Sequence, residues 1–152
     1  MDRIQRIMVA VDFSEHSAAA LAAAATLCRS LGAALLLINV VNQRDVDHAH
    51  KVAAAFPAYS VDRYLSGTRK TREERFRHLI DAVNCADLDP ETIFRVGTPF
   101  VEILAEIEER NPDLLVMATK GRSNLADVVL GSCAEKMFRR CPVPLLSVRP
   151  PR

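Results

Sequence analysis

Residues 33–41 read AALLLINVV, apolar along nearly their whole length. A strand with one face in water alternates apolar and polar side chains. A run without alternation suits a strand covered on both faces, and helices packed on either side of a parallel sheet supply that cover. Four other short segments fit the same scheme. Residues 4–11 (IQRIMVAV) and 114–118 (LLVMA) are strongly apolar, and residues 91–96 are weaker, with Ile93 and Arg95 alternating. Residues 144–148 (PLLSV) open on a proline, which confines that strand to a sheet edge.

Helical patterns separate these segments. In residues 15–31, Leu21, Ala24, Ala25, Cys28 and Leu31 share one face, and Gly32 can take the left-handed stop. Residues 69–84 carry Phe76, Leu79, Ile80 and Val83 at helical spacing. Residues 99–110 follow Thr98 as an N-cap, place Pro99 in the first turn and turn Phe100, Ile103, Leu104 and Ile107 inward. A last helix over 131–140 closes at Cys141-Pro142. Strands alternating with helices predict the α/β class: one doubly wound domain over residues 1–152, with five parallel strands and helices on both faces. Residues 42–68 are polar and contain Pro57 and Gly67. They are expected to form a variable loop with a short helix around 46–56, and so long a connection is usually functional or mobile.

The 152 residues include 20 basic and 19 acidic side chains, a net charge of +1. That balance argues against nucleic acid or an anionic membrane as the main partner. The start, MDRIQRIMVAVD, has charges where a secretory leader carries its apolar run, and no stretch reaches the roughly 20 apolar residues of a membrane helix. Cys28, Cys85, Cys133 and Cys141 form no CxxC pair, and a reducing cytoplasm is the expected setting.

In a doubly wound sheet the ligand crevice lies beyond the carboxyl ends of the strands, where the winding reverses. Residues 118–133, ATKGRSNLADVVLGSC, run from a buried strand into a helix. Gly121 and, after nine residues, Gly131-Ser132 supply unhindered backbone and a hydroxyl at a helix N-terminus, a setting that suits phosphate. Lys120 and Arg122 can add charge-assisted bonds. The pattern is neither a Walker A loop nor GxGxxG, and by spacing alone it is equally ordinary turn chemistry. Asp12 ends the first strand and can cap the following helix in a box with Glu15, with Ser14 as the alternative cap.

Other polar clusters read more plainly. His48 and His50 flank Ala49 without a companion Cys or carboxylate pair, so a solvated loop is expected there rather than a metal site. His16 and His78 are expected to face water. Arg63, Arg69, Lys70, Arg72, Arg75 and Arg77 read as the solvated face of a helix. Cys141 is expected to be a buried structural thiol. The last strand, 143–148, bears apolar residues on an edge that needs cover.

Taken together, IMVAVDFSEHSAAAL, RVGTPFVEIL and DLLVMATKGRSNLADVVLGSCAEKMFRRCPVPLLSV resemble the universal stress protein family over all but residues 42–68. The family's nucleotide signature is glycine, two residues, glycine, nine residues, then glycine followed by serine or threonine. Gly121, Gly131 and Ser132 meet it, and Ala118 stands at its first glycine. The resemblance implies the ATP-binding branch, a sheet order of 3-2-1-4-5, and a crevice between the loops after strands 1 and 4. It implies that ATP, or ADP or AMP, lies with its adenine flanked by Ala10 and Val40 and with Met117 supplying backbone beyond. Asp12 would lie near the ribose and phosphates, holding Mg²⁺ indirectly, and Ser132 and the Cys133 N–H would meet the terminal phosphates. It also implies a homodimer through residues 143–148. The expected role is a nucleotide-responsive stress regulator with slow hydrolysis at most and no catalytic residue. The alternative is a dimeric interaction protein with an empty pocket, which the methyl of Ala118 favours.

Overall fold

The computed structural model describes residues 3–120 and 131–149. Strand β1 (Arg6–Ala10) leads to α1 (Ser17–Leu31) and β2 (Ala34–Asn42). Helices α2 (Gln43–Ala55) and α3 (Val61–Val83) then precede β3 (Glu91–Gly97). Helix α4 (Pro99–Arg110), β4 (Leu114–Ala118), α5 (Ser132–Arg140) and β5 (Leu145–Val148) complete the described chain. The five strands form one sheet in the order β3-β2-β1-β4-β5, every pair parallel. The winding therefore reverses between β1 and β4, where Val9 lies beside both Leu37 and Val116.

The pleat explains the unbroken apolar run of β2. Leu35 and Leu37, with Ile7, Val9 and Val116, face one layer formed by Leu21, Ala24 and Cys28 of α1 and Phe76 of α3. Leu36 and Ile38, with Met8, Leu115 and Met117, face a second layer formed by Ile103 and Ile107 of α4 and Met137 of α5. Leu35 to Ile38 thus enter the two cores in alternation, and each large side chain buried there contributes on the order of 1.5–3 kcal/mol. At the amino ends of the strands, the Asp113 carboxylate accepts the N–H groups of Gln5 (2.7 Å) and Arg6 (2.9 Å). These two donors hold its carboxyl below the usual carboxylate range.

The segment expected to be a variable loop with a short helix around 46–56 holds that helix as α2 and, instead of further loop, the start of α3. Asn42 caps α2 by accepting the Arg44 N–H at 3.1 Å, and Ser60 caps α3 by accepting the Arg63 N–H at 3.3 Å. Residues 56–60 alone connect them, and α3 starts at Val61 rather than at 69. The signal was weak because only Val46 and Ala49 of α2 are fully buried. Pro57 falls in the short connection. Gly67 lies in open space on α3, where glycine costs a helix only about 1 kcal/mol relative to alanine.

Smaller departures have equally local causes. Helix α1 begins at Ser17, and no capping box joins Asp12 to Glu15: the N-cap residue is His16, with no side-chain cap bond. The His16 side chain is 17% exposed and lies 3.5 Å from the Glu15 carboxylate rather than facing water. Thr98 precedes α4 without a side-chain cap bond, although Pro99 does occupy the first turn. Cys141 is half-buried. His48, His50 and His78 are exposed, and β5 lies at the edge, paired with β4.

Candidate functional site

The carboxyl ends of β1, β2 and β4 open into a cavity of about 380 Å³. Its first wall is the turn after β1. The Val11 N–H donates to the Ile38 carbonyl at 2.9 Å, and the Asn39 side-chain amide donates to the Val11 carbonyl at 2.7 Å. The chain then turns through Phe13, whose φ of +59° lies in the left-handed region. Within this turn the Asp12 carboxylate accepts the Ser14 N–H at 2.9 Å and the Ser17 hydroxyl at 3.1 Å. Asp12 is thereby held over the cavity it lines.

The opposite wall begins where β4 ends. The Thr119 N–H donates to the Val148 carbonyl (3.0 Å), and the Thr119 carbonyl accepts the Gly131 N–H (3.1 Å). This bond brings the start of α5 back to the end of β4, so Gly131, Ser132 and Cys133 line the cavity. The first N–H groups of a helix have no intrahelical partner, and they carry the positive end of its dipole. Lys120 lines the same end. The other end is apolar, formed by Ile38, Val40, Ile103 and Met117. One cavity thus combines an apolar lining with a helix N-terminus suited to an anion.

Burial and the nearby Asp12 charge push the Cys133 thiol up to about 11, while Lys136 opposes them. Cys133 is therefore almost entirely a neutral thiol near pH 7 and a poor nucleophile there. Among the described residues, no three His, Cys, Asp or Glu side chains are grouped to hold a metal ion. No helix among them is long and apolar enough to cross a membrane.

The sequence profile of the universal stress protein family matches residues 3–149. The chain belongs to that family. The universal stress protein YxiE of Bacillus subtilis is 28% identical over 145 residues, covering 95% of this chain and 98% of its own. MJ0577 of Methanocaldococcus jannaschii is 24% identical over 156 residues, covering 95% and 94%. The solved structure of MJ0577 superposes with a TM-score of 0.79 at 20% identity, over 98% of each chain. A universal stress protein crystallised in complex with cAMP superposes with a TM-score of 0.67 at 24% identity, over 97% and 98%.

In this universal stress protein the cavity gathers Ala10, Asp12, Val40, Met117, Ala118, Gly131, Ser132 and Cys133, all singled out in the sequence. Gly121 and Arg122 lie outside the described residues. Ser17, Asn42 and Pro99 also line the cavity and were missed. Ser17 had a local signal, being five residues beyond Asp12 on the first turn of α1. Asn42 ends β2 and Pro99 opens α4 just after β3, so their only signal was chain direction, and the adjacency of β2, β3 and the crevice brings them there.

Proposed function

We propose that this universal stress protein binds ATP, or ADP or AMP, in the cavity between the loops after β1 and β4, and that nucleotide occupancy regulates its part in a cytoplasmic stress response. One observation carries the reading: a single cavity joins an apolar lining to the N-terminus of α5. The volume of about 380 Å³ falls within the range of small-molecule sites. That a structurally similar universal stress protein was crystallised with cAMP supports an adenine nucleotide as the ligand class.

In this reading Val40, Ala10 and Met117 receive the adenine. The N–H groups of Ser132 and Cys133, the Ser132 hydroxyl and Lys120 receive the phosphates, with Gly121 and Arg122 contributing from the signature. Asp12 stands at the phosphate end. A single carboxylate acting together with the ligand's own phosphates fits the usual way Mg²⁺ is held, and the ion would neutralise phosphate charge there. Asp12 is the only carboxylate among the described lining residues, so hydrolysis is slow at most, since phosphoryl transfer needs metal, charge clamp and water positioner together. The protein would act as a homodimer through residues 143–148, where β5 leaves one edge for a second copy.

Native mass spectrometry of the purified protein, followed by titration with ATP and Mg²⁺, tests this reading. The expected result is a dimer that carries an adenine nucleotide or takes one up saturably. A protein that ignores millimolar ATP would overturn it in favour of an interaction protein with an empty pocket, the reading that the Ala118 methyl favours. Ala118→Gly separates the two further: a lower Kd in the variant means that the methyl crowds the ligand, and an equal Kd means that it is accommodated.

A further inference from the structure

We infer that Arg72 of α3 is a positioning residue for the cavity, acting from the opposite face of the sheet. Ile38, Val40 and Met117 face the cavity, whereas Asn39 points the other way, toward α3. Asn39 is 1% exposed, and both ends of its amide are used. Its nitrogen donates to the Val11 carbonyl at 2.7 Å, and its oxygen accepts from the Arg72 guanidinium at 2.7 Å. The Asn39 amide thus takes the carbonyl that a further ladder bond between β1 and β2 would have used. The ladder stops at Val11, and the chain is released into the turn that carries Asp12.

The same helix holds the other side of that turn. Phe13 takes a left-handed conformation, which is strained for a bulky residue. Its ring meets Phe76 edge-on, with centroids 5.0 Å apart and planes at 76°. The Arg72 guanidinium lies 5.9 Å from the Phe13 ring centroid. Arg72 and Phe76 are one helical turn apart, so one stripe of α3 grips both neighbours of Asp12: Val11 through Asn39, and Phe13 directly. Arg72 is half-buried, unlike Arg69, Arg75 and Arg77, which are exposed as the sequence suggested for the whole basic face. Helix α3 thereby sets where the Asp12 carboxylate stands. The consequence for ligand affinity rests on the nucleotide reading above; the positioning itself does not.

The test uses Arg72→Met, which keeps helix propensity and much of the aliphatic stem, and Arg72→Lys, which restores the charge. Hydrogen exchange by NMR is measured first on the ligand-free full chain. Loss of the grip is expected to speed exchange of the Ser14 amide, bonded to Asp12, by about tenfold in R72M. The Leu37 amide in the centre of the sheet should be unaffected, and R72K should recover most of the protection. ATP titration follows, with about tenfold weaker binding expected in R72M and no further loss when R72M is added to Asp12→Ala. Unchanged Ser14 exchange, or equal acceleration at Ser14 and Leu37, would overturn the positioning role. Faster Ser14 exchange with unchanged ATP affinity would overturn its link to the site. If the wild-type chain does not bind ATP, the nucleotide reading fails, and the exchange data still decide the role of Arg72.

Discussion

The Ser17 hydroxyl bridges two parts of Asp12: it accepts the Asp12 N–H at 3.3 Å and donates to the Asp12 carboxylate at 3.1 Å. Ser17 is 2% exposed and is the first residue of α1, so the pair ties the end of β1 to the start of the next helix. It also occupies Asp12 in the way a capping box would have, which is why Glu15 is left in solvent.

Ser17→Ala removes both bonds and leaves the Asp12 N–H without the hydroxyl. We expect a loss of about 1–3 kcal/mol, the cost of stranding a sheltered polar group. Urea unfolding should show a lower midpoint with an unchanged slope, and an unmoved midpoint would show that water replaces the hydroxyl at no cost.

Gly131→Val tests the phosphate end of the cavity. Gly131 has φ −56° and ψ 148°, which other residues adopt without strain, so the backbone should tolerate the change. The added methyl groups would stand where the α5 N–H groups meet the ligand, and overpacking of about 1–3 kcal/mol corresponds to a tenfold to hundredfold weaker ATP affinity. The expected result is a native circular dichroism spectrum with impaired titration. Wild-type affinity in the variant would move the nucleotide elsewhere.

Cys133 gives a pH-dependent readout of the same wall. With its thiol pushed up to about 11, the reactive thiolate is about one part in a thousand at pH 8. Alkylation by iodoacetamide, followed at Cys133 by mass spectrometry, should rise about tenfold per pH unit between roughly pH 7 and 9. A plateau within that range would contradict the raised value. Saturating ATP should slow the reaction if the ligand covers the start of α5.

Asp113 predicts part of the acid limb of stability. Its folded carboxyl is held low by the Gln5 and Arg6 N–H groups, so its contribution is complete above the ordinary aspartate range and is lost as pH falls through the folded value. Asp113→Asn should therefore unfold at lower urea than wild type at pH 7. The two curves should converge only once the pH has fallen below that folded value, where the wild-type carboxyl is also neutral. Parallel curves across the whole range would mean that the charge of Asp113 is not what stabilises the strand ends.

The fold and the lining of the cavity were legible where the signal lay within one segment. The run at 33–41 announced a strand buried on both faces, and Phe76, Ile80 and Val83 announced the inner face of a helix. Helix α2 was legible only as a short helix around 46–56, because its buried stripe is reduced to Val46 and Ala49 amid polar neighbours. At the site, Asp12, Gly131 and Ser132 could be read because each stands where a strand or helix ends, and chain direction alone points such ends at the crevice. Asn42 and Pro99 also stand at element ends, but carry no charge or hydroxyl that marks a site, and their approach to the cavity depends on which strands are neighbours.

Arg72 shows where local reading stops. Side-chain direction follows from backbone dihedrals, so alternation in a strand and the three-to-four-residue spacing of a helix are written into the chain, and with them the α/β class and most elements. Nothing in a basic stretch distinguishes Arg72 from Arg69 or Arg75. Its bond to Asn39, 33 residues away, exists only after α3 has docked on the sheet and the register has brought Asn39 beneath it. Contacts of that kind have no energy until packing creates them, so the alignment of the Asp12 turn was decided by the tertiary structure alone.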